Sequence, residues 1–106
     1  MNNYMVFETL MTEYTKKDQE LVANTIFEAC SKEKCFGTFT LSKNRKFKFE
    51  VKDNYITVEH SIYRVPMIFN IESAKKLVVL FKTFINTNIL DVNKRARLIN
   101  QIILLL

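Results

Sequence analysis

Lys43, Arg45, Lys46, Lys48 and Lys52 crowd the middle of this chain, with Phe36 and Tyr55 on either side of them. Cations neutralise phosphates and exposed aromatic rings stack on unpaired bases, so the mixture suits contact with nucleic acid, DNA or RNA. An acidic protein surface would be drawn to the same charges. Glu50 and Glu59 fall among the lysines, and lysine alternating along a strand also protects sheet edges from aggregation, so the cluster has a purely structural reading too. A second basic group, Lys94, Arg95 and Arg97, follows Asp91 at the start of the last apolar segment. If Asp91 caps a helix, these charges sit where the helix dipole disfavours them by roughly 0.3 to 1 kcal/mol each. Stability alone would not select that arrangement, unless the charges pair locally with Asp91.

Groups able to do covalent or acid–base chemistry are few. His60 is the only histidine, and Cys30 and Cys35 are the only cysteines. Cys-x4-Cys with one histidine falls short of four zinc ligands, and there is no glycine-rich phosphate loop and no Gly-x-Ser-x-Gly elbow. A Cys35–His60 nucleophile pair is conceivable, both residues being expected at one end of a sheet, but no third side chain orients it. The expectation is a protein that is not an enzyme and uses no metal and no cofactor. Two cysteines are too few for a disulfide framework and fit a reducing, cytoplasmic setting.

Positioning falls to a meander over residues 36–58, where apolar and polar residues alternate as in antiparallel strands with one wet face. Asp53-Asn54 closes a two-residue hairpin, both residues tolerating positive φ. It sets Lys52 opposite Tyr55, and Val51 opposite Ile56, Phe49 opposite Val58 and Phe47 opposite His60 on one face. Glu50 then meets Thr57 and Lys48 meets Glu59 on the other face, and a one-residue slip would destroy both patterns. For the first hairpin, a three-residue loop Lys43-Asn44-Arg45 sets Leu41 opposite Phe47, Phe39 opposite Phe49 and Gly37 opposite Val51. The buried face is then Phe39, Leu41, Phe47, Phe49, Val51, Ile56 and Val58, with His60 pointing inward beside Phe47. Phe36, Lys48, Lys52 and Tyr55 stand on the outer face.

Helical spacing flanks the meander. Residues 3–14 carry Phe7, Leu10, Met11 and Tyr14 on one stripe, and Thr15 with Asp18 makes a capping-box-like start for Leu21, Val22, Ile26, Ala29 and Cys30. These are two helices or one kinked helix. After the meander, Ile62-Tyr63-Arg64-Val65-Pro66-Met67-Ile68-Phe69 contains the only proline, which confines any fourth strand to a short one at an edge. Asn70 is a good N-cap for a helix with Ile71, Ala74, Leu77, Val78, Phe81, Phe84 and Ile85 on its stripe, ending in Asn86-Thr87-Asn88. Asp91 caps a last helix with Val92, Ala96, Ile99, Ile102, Ile103 and Leu106 on its apolar side. Its end, Ile-Ile-Leu-Leu-Leu, needs cover from its own core or from a second copy.

The 106 residues have room for one core, so a single domain over 1–106 is expected. The net charge of +5 is uneven: residues 1–33 hold six acids and three bases, residues 34–106 thirteen bases and five acids. Glu8 and Glu13 interrupt the first apolar residues, so no signal peptide is expected, and the apolar runs are too short to span a bilayer. Lys, Ile and Asn dominate, as in coding sequence from AT-rich viral or mobile-element genomes. The fold expected is α+β, two-layer: a three- or four-stranded antiparallel meander covered by N-terminal and C-terminal helices. The function expected is that of a small non-catalytic binding protein, an accessory factor that touches nucleic acid through a basic β-hairpin and pairs as a homodimer without a membrane. The alternative is a protein–protein interaction module, an inhibitor or adaptor of a host protein, using the outer sheet face and the C-terminal helix. No motif is close enough to any family to name one.

Overall fold

Side-chain caps divide the N-terminal helical region in two. In the computed structural model, which describes residues 3–61 and 66–106, α1 (Asn3–Glu13) and α2 (Lys16–Cys30) meet at Thr15. The Thr15 hydroxyl accepts from the Asp18 amide at 3.2 Å, capping α2. Gln19 Nε2 turns back to donate to the Leu10 carbonyl at 2.8 Å and reaches the Met11 and Tyr14 carbonyls at 3.4 Å. These are carbonyls at the end of α1 that have lost their helical donors. Two helices, rather than one kinked helix, follow from those caps.

The sheet has four antiparallel strands in the order β1 (Cys35–Thr40), β2 (Lys46–Lys52), β3 (Tyr55–His60) and β4 (Met67–Asn70). Between β2 and β3 the register is the expected one, from Lys52 opposite Tyr55 to Phe47 opposite His60. Asp53 and Asn54 both take positive φ, 54° and 66°, which matches the twist of the flanking strands. Pro66 stands just before β4, a four-residue strand at the sheet edge. The rest of that stretch, residues 62–65, lies outside the described residues.

Between β1 and β2 the structure corrects the expected register. Cys35 lies opposite Val51, Gly37 opposite Phe49 and Phe39 opposite Phe47. Leu41 therefore does not face Phe47; its amide donates to the Arg45 carbonyl at 2.7 Å, closing a loop made of Ser42, Lys43 and Asn44. Lys43 and Asn44 supply the left-handed backbone, with φ of 61° and 58°. The pairing slips by two residues, so every side chain keeps its face. The new register also puts the Phe49 ring over Gly37. A Cβ on Gly37 would lie 2.9 Å from Phe49 Cζ, so the glycine makes room for the ring, an aromatic covering a strand glycine. The Phe39 and Phe47 rings stack with centroids 5.4 Å apart.

All helices lie on the inner side of the sheet. Leu41, Phe47, Val51, Ile56 and Val58 are buried there, with Phe39 and Phe49 half-buried at the rim. α3 (Ile71–Ile85) begins at Asn70, whose Oδ1 accepts from the Ser73 amide at 2.8 Å. It buries Ala74, Val78, Phe81, Phe84 and Ile85. A second apolar cluster joins α1, α3 and α4 (Val92–Leu105) through Phe7, Phe81, Leu98 and Ile102, and Ile26, Leu77 and Leu106 touch both clusters. Burying a large apolar side chain contributes about 1.5 to 3 kcal/mol, so Phe47, Ile56 and Ile102, all fully enclosed, anchor the three layers of contact. On α4 the expected stripe is corrected. Leu98 and Ile102 are its buried residues, whereas Val92, Ala96 and Ile103 are exposed. The helix is rotated because Arg95 lies inward, against α3.

Candidate nucleic-acid interface

The alternation that buries one face of the sheet sends a defined set of side chains to the other. On the outer face Phe36, Glu50, Thr57 and Ile68 form one cross-strand row, Thr38, Lys48 and Glu59 the next, and Lys52, Tyr55 and Asn70 a third. Phe36 is 81% exposed and Tyr55 53%, and Ile68 is also open to solvent. By strand geometry the two aromatic residues are two strands and two residues apart, roughly 12 Å. Lys52 lies directly across from Tyr55, and Lys46 extends the basic edge toward the β1–β2 loop. Lys48 faces Glu59, so its charge is partly compensated on the sheet itself. Lys43, left-handed in the loop, is exposed. Lys46, Lys48, Lys52 and Tyr55 thus share one accessible surface, and Lys43 is exposed on the loop that adjoins it.

Arg45 does not belong to that free surface. Its guanidinium pairs with Glu13 at 3.2 Å and lies 5.8 Å above the Tyr14 ring, fastening the loop to the end of α1. The Tyr14 hydroxyl in turn shares a hydrogen bond with His60 Nε2 beneath the sheet. His60 is 1% exposed and meets the Phe47 ring edge to face, centroids 4.6 Å apart. Burial pushes its pKa down, the nearby Arg45 charge pushes the same way, and Glu13 opposes them; the ring is neutral near pH 7. Burial raises the Tyr14 pKa, with Arg45 opposing it. Glu13 and Tyr14 were not foreseen as partners of the basic loop, because 32 residues separate Glu13 from Arg45 and no local pattern signals the pairing.

The second basic group also divides. Arg95 donates from Nη1 to the Phe84 carbonyl at 3.3 Å and the Thr87 carbonyl at 3.2 Å, and its guanidinium stacks 4.1 Å from the Phe84 ring centroid. A positive group at the C-terminus of α3 is favoured by that helix's dipole, which resolves the apparent misplacement at the N-terminus of α4. Asp91 caps the Lys94 amide at 3.2 Å; the charges of Lys94 and Arg97 remain exposed, with no ion-pair partner among the described residues. Because α4 rests on α3, behind the inner face of the sheet, Lys94 and Arg97 are not continuous with the hairpin lysines.

Catalytic geometry fails at the one pairing the sequence allows. Cys35 sits beside Val51 on β1 and His60 beside Phe47 on β3, at opposite ends of β2, two strands and four residues apart or roughly 17 Å, so they are not at one end of the sheet as expected. Cys30 is buried, its thiol pKa raised mainly by that burial. Among the described residues no three His, Cys, Asp or Glu side chains converge as metal ligands would. An internal void of about 50 Å³ lies between the sheet and α1 to α3, lined by Phe7, Leu10, Val58, Met67, Phe81 and other apolar groups; it offers a water or a ligand no polar partner. No helix among the described residues is long and apolar enough to cross a membrane. Compared with family models, curated proteins and solved structures, the chain matches none.

Proposed function

We propose that this protein binds nucleic acid, without catalysing a reaction, through the outer face of its sheet and the β1–β2 loop. The observation that carries the reading is the placement of two exposed aromatic rings, Phe36 and Tyr55, on the same surface as Lys46, Lys48 and Lys52. Leaving large rings in water gains nothing for the fold, and rings flanked by cations are suited to stacking on bases while the cations meet phosphates. Glu50 and Glu59 on the same face limit the attraction, so binding of moderate affinity and strong salt dependence is expected. Two unbridged thiols, Cys30 and Cys35, accord with a cytoplasmic setting.

The test is fluorescence anisotropy of labelled single-stranded and duplex oligonucleotides at two salt concentrations, for the wild type and for Lys43→Glu/Lys46→Glu/Lys52→Glu. Arg45 is left intact because it tethers α1, and Lys48 because its reversal would oppose Glu59. The variant is expected to lose at least about tenfold in affinity with an unchanged melting temperature. Equal binding by variant and wild type would overturn the assignment.

A further inference from the structure

Glu50 stands between the two exposed rings of the outer sheet face. It lies directly across from Phe36 on β1 and one diagonal step from Tyr55 on β3, with Cβ spacings of roughly 5 Å and 7 to 8 Å. An open hollow of about 560 Å³ spreads over this part of the sheet, with Phe36, Lys48, Glu50, Thr57, Glu59 and Pro66 around it, and it has room for a nucleobase. Lys48 and Lys52 flank Glu50 two residues away on the same strand and face. Its carboxylate nonetheless has no ion-pair or hydrogen-bond partner among the described residues. The Thr57 hydroxyl opposite donates to the Glu50 main-chain carbonyl at 3.4 Å, not to the carboxylate. A stacking ring and an unanswered pair of acceptor oxygens thus sit side by side, with cations next to both.

Resting on the nucleic-acid reading above, we propose that this hollow takes an unpaired guanine, its ring stacked on Phe36 and its Watson–Crick edge held by the Glu50 carboxylate. An ionised carboxylate offers two oxygens and only accepts hydrogen bonds. Guanine alone among the bases presents two adjacent N–H donors, N1–H and the 2-amino group, spaced to meet both oxygens in a charge-assisted pair. Adenine and cytosine set their amino group beside a bare ring nitrogen, whose lone pair would meet the second oxygen. Thymine and uracil hold one N–H between two carbonyls. A carboxylate beside phosphates repels a strand unless such donors answer it, so the charge that weakens binding of other sequences favours this one. Duplexes hide that edge in base pairs, so the target is single-stranded. A second base of the same strand stacks on Tyr55 while Lys48 and Lys52 meet phosphates.

The test is fluorescence anisotropy at low salt with a short labelled oligothymidylate and with the same strand carrying one central guanine, hypoxanthine, adenine or cytosine. The wild type is expected to bind the guanine strand at least about tenfold more tightly than the thymine, adenine and cytosine strands. Hypoxanthine, which keeps N1–H and lacks the 2-amino group, should lose most of that gain. Glu50→Ala, at an exposed position, should bind all the strands alike and the thymine strand no more weakly than the wild type does. Glu59→Ala, which leaves Phe36 and Glu50 in place, should keep the guanine preference. Equal binding of all the strands by the wild type would overturn the guanine assignment and leave the nucleic-acid reading standing, whereas no binding of any strand would overturn both. A preference that survives Glu50→Ala, disappears in Glu59→Ala, or persists once the guanine strand is annealed to its complement would also overturn the assignment.

Discussion

His60 shows how one side chain ties charge to stability. Its folded pKa lies below the ordinary 6.5 because burial and Arg45 disfavour the imidazolium, so the unfolded chain holds the proton more tightly. The stabilisation is complete above pH 6.5, declines as pH falls from 6.5 toward the lowered pKa, and is constant below it. Thermal melts between pH 7.5 and 5 should show that decline. Replacing both members of the pair, Tyr14→Phe with His60→Phe, removes the titrating imidazole and should flatten the profile; a profile unchanged in the double variant would place the titration elsewhere. Arg95 and Lys94 give a second contrast. Arg95→Ala removes two hydrogen bonds and a ring contact and should cost about 1 to 2 kcal/mol in denaturant titrations. Lys94→Glu, at the N-terminus of α4, should instead stabilise by about 0.3 to 1 kcal/mol.

At the scale of elements, the two hairpins explain what the sequence could and could not show. Asp53-Asn54 announces its own turn, and Lys48 opposite Glu59 locks the β2–β3 register. The first hairpin has no such lock. Alternation has period two, so a slip of two residues leaves every face unchanged, and the left-handed Lys43 is not a residue type that marks a turn. The contact of Phe49 with Gly37 selects the register only in three dimensions. The same holds for α4, where apolar residues on several sides permit more than one stripe and the inward Arg95 fixes the rotation. Helix starts at Thr15, Asn70 and Asp91 were legible because caps act within three residues. Gln19 was not, because it caps the preceding helix. Gln19→Ala should lower stability by about 1 kcal/mol, and Phe47→Ala, emptying the centre of the sheet's inner face, by about 3 to 5 kcal/mol.

For the whole molecule, the basic residues that form two clusters in the sequence divide into three roles. Arg45 and Arg95 hold elements together, Lys46, Lys48 and Lys52 share the outer sheet face with Phe36 and Tyr55, with Lys43 on the adjoining loop, and Lys94 and Arg97 lie on α4. Phe36→Ala/Tyr55→Ala should weaken binding of single strands by about 1 to 3 kcal/mol per stacked base while leaving the melting temperature unchanged. The most direct measurement is amide chemical-shift mapping of the isotope-labelled protein titrated with a short single-stranded oligonucleotide at low salt. Perturbations should centre on Phe36, Lys46, Lys52 and Tyr55 and spare α3 and α4. A footprint on Lys94 and Arg97, or no footprint at all, would contradict the account.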